Sequence, residues 1–237
     1  MLFFYVRHGD PIYNPDSLTP LGHEQARAVA KRFSIYGLDR IFASSSIRAR
    51  QTAEPTCQLL KKEMTICDWA NEGHAWQELT VLNDEGNRLW GFHHKETIEL
   101  FHTKEIRDLG NRWYDHPALH EGFKKGTERI NREVDEFMLS LGYRHDRENE
   151  RYEVVKSNNE RVALFAHQGF GMSFLSSLLD IPYPIFSIRF DIGHSGVTVI
   201  DFTEKDGYAY PVILQLSNDS HLYREGILTG YQNLIRF

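Results

Sequence analysis

The feature that most constrains the fold is a repeated pattern in which a short apolar run is followed by a polar loop and an amphipathic helical stretch. Residues 2–6 form such a run, which ends at Arg7-His8-Gly9. Thr19-Pro20 then predicts a helix start, and apolar residues at helical spacing continue to Gly37. Because a short run that is apolar throughout is typical of a strand buried on both faces, this segment predicts half of a βαβ unit.

The same alternation returns further along the chain. Residues 40–44 predict a strand, serines 44–46 predict the cap of a helix that continues to about residue 62, and residues 64–68 predict the next strand. A later apolar run, residues 162–166, precedes His167 and an apolar helix through residue 179. Alternating strands and helices imply a parallel sheet, so we predict an α/β fold: a three-layer α/β/α sandwich around a mostly parallel sheet.

The remaining segments are less regular. Residues 69–126 are rich in aromatic residues, histidine and glycine, and we predict that they form an inserted, partly helical lobe beside the active site, with a helix over residues 95–109. A helix is predicted over residues 127–141. Two β pairs are predicted, one between residues 152–155 and 162–166 and one between residues 196–202 and 208–216. We interpret residues 1–237 as a single domain.

Charge and hydropathy exclude several function classes. The 237 residues contain 27 Lys and Arg and 33 Asp and Glu, a formal net charge of −6, without a long block of like charge. Non-specific nucleic-acid binding is therefore not expected. The first apolar run is too short for a signal peptide, and no later run approaches the roughly 18 residues of a membrane span. The expectation is a cytoplasmic protein without membrane contact, of undetermined oligomeric state.

Polar residues follow three of the predicted strands. Arg7 and His8 follow the first strand, Ser44 to Arg48 follow the second, and His167 follows a later one. Ligands of open parallel sheets bind outside the carboxyl ends of the strands, so these segments are expected to converge. Arginines, histidines and a helix N-terminus together predict a phosphate site, in which His8 is the candidate nucleophile. Arg48, in the first turn of its helix, requires an anionic partner.

These residues resemble the histidine phosphatase superfamily, also called the phosphoglycerate mutase-like family, and its phosphatase branch in particular. Arg7-His8-Gly9 matches the Arg-His-Gly signature after the first strand. Residues 18–26, Leu-Thr-Pro-Leu-Gly-His-Glu-Gln-Ala, resemble the Leu-Thr-x-x-Gly-x-x-Gln-Ala stretch of the family. Residues 44–53, Ser-Ser-Ser-Ile-Arg-Ala-Arg-Gln-Thr-Ala, resemble its Ser-x-x-x-Arg-Ala-x-Gln-Thr-Ala stretch, and His167 stands for its second histidine.

The resemblance implies a metal-independent phosphomonoester phosphatase, similar to the histidine acid phosphatases, that acts on a small phosphorylated metabolite without a cofactor. It implies that His8 becomes a transient phosphohistidine. The residues that the resemblance assigns to the phosphoryl oxygens are Arg7, Asn14, Arg48, His167 and the backbone of Gln168. The family also places an acidic residue after the third strand as the general acid. The sequence offers Glu72, Glu78 and, farther on, Asp84 or Glu85; Glu72 is the preferred candidate for this acid, and Glu78 remains the main alternative.

Two departures from the family pattern keep other functions open. Gln168 stands where many members have glycine directly after the second histidine, and the Glu-Arg-His-Tyr-Gly stretch of the mutase branch is missing. Because the mutase-branch stretch is missing, a phosphomutase of the phosphoglycerate mutase type is less favoured than a phosphatase. A non-catalytic, phospholigand-binding regulatory protein is the alternative from a different class.

Histidine and aromatic residues of the lobe suggest two further interpretations. Twelve histidines are present, but His93-His94, His102, His116 and His120 match no metal-ligand motif, so no metal site is predicted. The lobe aromatics are predicted either as core or as walls of a substrate pocket: Trp76, Trp90, Phe92, Trp113 and Tyr114. As pocket walls they would favour a substrate with an apolar or ring-bearing portion.

Overall fold

The structure is a computed structural model, and it describes residues 1–230. Its strands are β1 (Leu2–Arg7), β2 (Pro11–Tyr13), β3 (Asp16–Leu18), β4 (Arg40–Ser44), β5 (Met64–Cys67), β6 (Thr80–Leu82), β7 (Arg88–Trp90), β8 (Tyr143–Asp146), β9 (Arg151–Val154), β10 (Arg161–Ala166), β11 (Val197–Asp201), β12 (Glu204–Lys205), β13 (Tyr208–Ala209) and β14 (Val212–Asn218). Its α-helices are α1 (Pro20–Tyr36), α2 (Ile47–Leu60), α3 (Glu72–Glu78), α4 (Lys95–Phe101), α5 (Lys104–Leu109), α6 (Glu121–Ser140), α7 (Gln168–Leu178), α8 (Tyr183–Ser187) and α9 (Ser220–Arg224). Within this range no helix has the length and hydrophobicity to cross a membrane.

Six strands form the central sheet, in the order β14-β11-β1-β10-β4-β5. The neighbours β1, β10, β4 and β5 are parallel, whereas β11 is antiparallel to both β1 and β14. The prediction of a mostly parallel sheet is confirmed.

The sheet separates two apolar cores. Phe3 and Tyr5 of β1 belong to the core that includes α6 and α7, whereas Phe4 and Val6 belong to the core beneath α1 and α2. Successive side chains of a strand point to opposite faces, so a strand that is apolar at every position requires cover on both. The predicted three-layer α/β/α sandwich is confirmed.

Local signals set the ends of the first two helices. The Thr19 hydroxyl accepts a hydrogen bond from the N–H of Gly22, and Pro20 is the first helical residue of α1. Gly37, with φ of 71°, ends this helix in a left-handed conformation that favours glycine. Ser46 caps α2 by accepting from the N–H of Ala49. These helix ends agree with the sequence prediction. A capping contact spans only a few residues, so it can be recognised from the local sequence.

The predicted hairpin between residues 152–155 and 162–166 is wrong. Strand β9 pairs with β8 and β13 in a second sheet of order β12-β13-β9-β8, whereas β10 lies between β1 and β4 in the central sheet. Residues 162–166 are buried throughout, a pattern that a central strand satisfies and a solvated hairpin does not. The final pair is confirmed as β11 with β14, although β14 begins at Val212 and residues 205–208 join β12 to β13 instead.

The predicted inserted segment, residues 69–126, contains α3, α4, α5 and the β6–β7 hairpin. The helix predicted over residues 95–109 is broken into α4 and α5 because the Thr103 hydroxyl accepts from the N–H of Ile106 and caps a new helix. Helix α6 begins at Glu121, six residues before the predicted start. The aromatic side chains of Phe101 and Trp113 join the core shared with α6 and α7, and α3 contacts both helices, so the segment packs against this helical layer.

Candidate active site

Three neighbouring strand ends bring the predicted site residues together. Strands β1, β4 and β10 end at Arg7, Ser44 and Ala166. The backbone N–H of His8 donates to the Ala166 carbonyl at 2.9 Å. The rings of His8 and His167 lie 5.2 Å apart between centroids, at an interplanar angle of 62°. The parallel sheet therefore places both histidines, buried, at one edge, as the strand pattern predicts.

The tautomer of His8 is set by its own loop. Its Nδ1 lies 2.7 Å from the Gly9 carbonyl oxygen, and since a carbonyl only accepts, Nδ1 carries the proton. Burial lowers the pKa of His8 well below its ordinary value, and the positive charge of Arg7 lowers it further. A neutral imidazole protonated on Nδ1 has its lone pair on Nε2. The geometry therefore leaves Nε2 as the ring nitrogen of His8 with a free electron pair, which is the requirement for a nucleophile.

The loop that carries His8 is fixed by α1 and α2. The Gly9 N–H donates to Thr52 Oγ1 at 3.0 Å, and the Asp10 N–H donates to Gln25 Oε1 at 2.7 Å. A Cβ on Gly9 would lie 2.6 Å from the carbonyl oxygen of Gly22. The absence of a Cβ on Gly9 therefore lets the loop pack closely against α1.

Arg7 is held in part by a residue that the sequence analysis missed. Its Nη1 donates to the Ile192 carbonyl at 2.6 Å, and its Nη2 donates to Nε2 of His194 at 2.7 Å. Because a guanidinium only donates, His194 must be unprotonated at Nε2. Burial and the charge of Arg7 lower the pKa of His194 to about 4. Nδ1 of His194 lies 3.5 Å from an Asp10 carboxylate oxygen.

The anionic partner that Arg48 requires consists of two carboxylates. Arg48 Nη1 donates to Asp16 Oδ1 at 2.8 Å, and Nη2 donates to Glu72 Oε2 at 3.0 Å. Asp16 also accepts from the N–H of Ile47, the first residue of α2, at 2.7 Å. Asp16 was not singled out from the sequence, because nothing local marks its contact with a helix that begins 31 residues later.

Glu72 links the inserted segment to the second histidine. It is the first residue of α3, which Asn71 caps by accepting from the N–H of Gly73. Glu72 Oε1 accepts from the N–H of Gly169 at 2.9 Å, and Oε2 lies 3.6 Å from Nδ1 of His167. The carboxylate therefore stands beside the histidine pair, at the mouth of the site.

Glu78, the alternative acid, is held elsewhere. Both of its carboxylate oxygens accept hydrogen bonds from Arg129 of α6, at distances between 2.6 and 3.1 Å. It ties α3 to α6, whereas Glu72 faces the two histidines.

Several buried N–H or ring nitrogen atoms of the site lack a partner. His167 Nε2 lies 2.8 Å from Ser44 Oγ, but His167 Nδ1 has no hydrogen-bond partner within residues 1–230, and neither have Nε of Arg7 and Nε of Arg48. Burial lowers the pKa of His167 well below its ordinary value, and His8 lowers it further. Buried polar atoms without partners are rare, and where several line one site a bound ligand is a natural partner for them. Two guanidinium nitrogens among them favour an anionic one.

Two other predicted residues lie at the edge of the site. Asn14 is exposed near the tip of the β2–β3 hairpin and makes no side-chain hydrogen bond to any described residue. The neighbouring Tyr13 ring faces the Arg48 guanidinium, 5.3 Å from ring centroid to Cζ. Gln168 is the first residue of α7, and its side-chain amide donates to Asp191.

One group of side chains within the described residues has a geometry that would suit a metal ion. His8, Glu72 and His167 each offer one ligand atom, and these atoms lie within 4.8 Å of one another. They are the candidate catalytic residues themselves and not the lobe histidines considered from the sequence. An activity assay in excess chelator therefore tests whether the protein depends on a divalent cation.

Comparison with known proteins identifies the family. Residues 3–210 match the family model described as histidine phosphatase superfamily (branch 1). The chain belongs to this superfamily. The family membership predicted from the motifs is thereby confirmed, and it supports a hydrolase of the phosphatase type or a related mutase. A search of curated proteins gave no match.

Solved structures of several phosphatases share the fold. A variant of phosphoserine phosphatase from Entamoeba histolytica, in complex with phosphoserine, is 18% identical, covers 93% of this chain and 98% of its own, and has a TM-score of 0.59. Mycobacterial glucosyl-3-phosphoglycerate phosphatase is 18% identical, with coverages of 91% and 98% and a TM-score of 0.58. Alpha-ribazole phosphatase from Shigella flexneri is 17% identical, with coverages of 92% and 97% and a TM-score of 0.58.

Proposed function

We propose that this histidine phosphatase is a metal-independent phosphomonoester phosphatase that acts through a phosphohistidine on His8. The observation that carries the proposal is the free Nε2 lone pair of His8, which results from the proton on Nδ1. Around it stand Arg7, Arg48 and His167, each with a buried nitrogen that lacks a partner within residues 1–230. Two fixed guanidinium groups beside a buried imidazole suit phosphoryl transfer, in which positioning and charge neutralisation supply most of the catalysis.

The first step transfers the phosphoryl group to the enzyme. Nε2 of His8 attacks phosphorus, the ester P–O bond breaks, and the departing oxygen takes a proton from Glu72. When substrate binds, the phosphoryl oxygens replace the present carboxylate partners of Arg48, and Glu72 Oε2, released from Arg48, takes up from solvent the proton that it then donates. Asn14 and the backbone N–H of Gln168 complete the oxyanion contacts.

The second step regenerates the enzyme. The Glu72 carboxylate takes a proton from water, the oxygen of that water attacks phosphorus, and the N–P bond breaks. Inorganic phosphate leaves, and His8 is again neutral. The substrate is a small phosphorylated metabolite, and the segment of residues 69–126 flanks the site by supplying Glu72.

The decisive experiment is hydrolysis of phosphomonoesters in excess chelator, with labelled substrate to trap an acid-labile phosphoenzyme. We expect turnover and labelling of the wild type and neither in His8→Ala. His102→Ala is the matched control, because His102 is an exposed histidine of the lobe outside the site. Loss of turnover on chelation would contradict the metal-independent mechanism.

The same experiment separates the two alternatives. A phosphomutase would return the label to a second substrate molecule and release little inorganic phosphate. A phospholigand-binding protein without catalysis would bind a phosphate analogue and release none. The cytoplasmic location stays a prediction from sequence.

A further inference from the structure

An aromatic cavity adjoins the phosphate site on the side of the inserted segment. It has a volume of about 450 Å³. Its lining residues within the described chain are Tyr13, Arg48, Glu72, Gly73, Trp76 and Trp90. Because Arg48 and Glu72 belong to both, the cavity opens directly onto the position where a scissile oxygen would meet its acid. A leaving group would therefore extend into the aromatic cavity.

The walls of the aromatic cavity are held in place by packing. The rings of Trp76 and Trp90 meet edge to face, with centroids 5.1 Å apart at 80°. Trp90 also stacks on Phe92 at 5.7 Å and 12°. A Cβ on Gly169 would lie 2.2 Å from the Trp90 ring, so this ring rests directly on the first turn of α7. A pre-formed wall costs little ordering entropy when a ligand binds.

Charge in the aromatic cavity disfavours an acidic leaving group. Arg48 is the one cation among the described lining residues, and its two terminal nitrogens are engaged by Asp16 and Glu72. In the proposed reaction this guanidinium serves the phosphoryl group. A carboxylate on the leaving group would face Glu72 with no further cation in the lining, whereas a planar ring would face indole and phenol rings.

We propose that the aromatic cavity selects phosphomonoesters whose alcohol carries a planar aromatic ring, with Trp76 and Trp90 as the specificity-determining residues. The inference rests on the proposed function, because it assigns the cavity to the leaving group of that reaction. Offset or edge-to-face ring contacts stabilise an aromatic ligand beyond the area that it buries.

The test compares benzyl phosphate, cyclohexylmethyl phosphate and phosphoserine. The first two have leaving alcohols of similar size and acidity, and they differ in ring planarity and π electrons. We expect kcat/KM for benzyl phosphate to exceed that for phosphoserine by about tenfold, with cyclohexylmethyl phosphate between them. Equal values for the three, or a cyclohexylmethyl ester as good as the benzyl ester, would overturn the proposal.

Substitutions of the two tryptophans test whether they produce the preference for benzyl phosphate. Trp76→Leu and Trp90→Leu are expected to reduce the benzyl-to-phosphoserine ratio of kcat/KM severalfold, and Trp90→Phe to retain most of it. Tyr223→Leu is the matched control because Tyr223 is an exposed aromatic residue outside the cavity. A ratio that survives both leucine variants would overturn the assignment of these residues.

A binding measurement keeps this inference separate from the catalytic proposal. Calorimetric titration of His8→Ala with benzyl phosphate and phosphoserine measures the affinity of the cavity for each ligand in the absence of turnover. Preferential binding of benzyl phosphate that is lost in a His8→Ala/Trp76→Leu double variant would support the cavity even if the wild type hydrolysed nothing. Turnover through a phosphohistidine with no preference in either assay would retain the function and overturn the inference.

Discussion

The Glu72 carboxylate accepts a hydrogen bond from the backbone N–H of Gly169 at 2.9 Å, across 97 residues of sequence. This contact joins the first turn of α3 to the first turn of α7, which follows the second histidine. It holds one carboxylate oxygen away from Arg48 and fixes the direction of the other. The position of Glu72 beside His8 and His167 therefore depends on the packing of the inserted segment against α7.

Substitution of the two glutamates is expected to separate catalysis from stability. Glu72→Gln should lower kcat by about 10²- to 10⁴-fold for an alkyl phosphate, and less for p-nitrophenyl phosphate, whose leaving group needs no proton. Glu78→Gln should retain activity and lower the free energy of unfolding by about 1–2 kcal/mol, because Arg129 loses its charged partner. Steady-state kinetics and urea unfolding of both variants measure this. The reverse pattern would make Glu78 the acid.

His194 is expected to position Arg7. His194→Ala removes the acceptor of an Arg7 hydrogen bond, so KM for a phosphomonoester should rise about tenfold with a smaller change in kcat. His194→Gln, which offers an amide oxygen, should recover part of the loss. An unchanged KM in His194→Ala would show that the Ile192 carbonyl alone holds Arg7.

The same contact predicts a pH dependence. Burial and Arg7 hold the pKa of His194 at about 4, while Asp10 and Asp191 oppose this shift. As the pH falls through about 4, protonation of Nε2 should place two donors face to face and release Arg7. An NMR titration of the His194 ring, compared with that of His102, checks this. A midpoint near 6.5 would contradict the buried, neutral state.

His145 is expected to be a structural imidazolium. Its buried ring faces Asp135 at 2.9 Å from Nδ1 and Asp180 at 2.8 Å from Nε2, so both nitrogens donate. These hydrogen bonds raise its pKa against the effects of burial and Arg147. His145→Ala should lower the free energy of unfolding by about 3 kcal/mol, since two carboxylates lose their shared partner.

Because the folded-state pKa of His145 is raised, the stability that this residue contributes depends on pH. Its contribution to stability is fully present below pH 6.5, the ordinary value for histidine, and is lost as the pH rises through the higher folded-state pKa. In urea unfolding against pH, the difference in unfolding free energy between wild type and His145→Ala should therefore narrow on the alkaline side. A constant difference between them above neutrality would contradict the imidazolium.

Gly9→Ala tests the close packing of the His8 loop on α1. The added methyl would lie 2.6 Å from the Gly22 carbonyl oxygen, so the loop must shift. We expect a loss of about 1–3 kcal/mol in unfolding free energy and a larger fractional loss of kcat, because His8 moves with the loop. Gly230→Ala is the control, since no atom of residues 1–230 lies within 4 Å of a Cβ there. Equal behaviour of the two variants would contradict this packing argument.

Local chemistry accounts for what could be predicted of the fold and site. The caps at Thr19 and Ser46 depend on neighbours three residues away, and the apolar runs before His8 and His167 require strands covered on both faces. Parallel strands then place the residues that follow them at one edge. The histidine pair and its arginines could be located from the sequence for this reason.

The sequence alone determined the alternating strands and helices of the core, the three-layer class and the family motifs, because these depend on periodicity and on contacts between near neighbours. Only the tertiary structure decided that Glu72, and not Glu78, stands beside the histidines, and that His194 meets Arg7 across 187 residues. It likewise made Trp76 and Trp90 walls of a cavity while Trp113 became core. Such contacts depend on how separate segments pack, and no spacing in the chain encodes that packing.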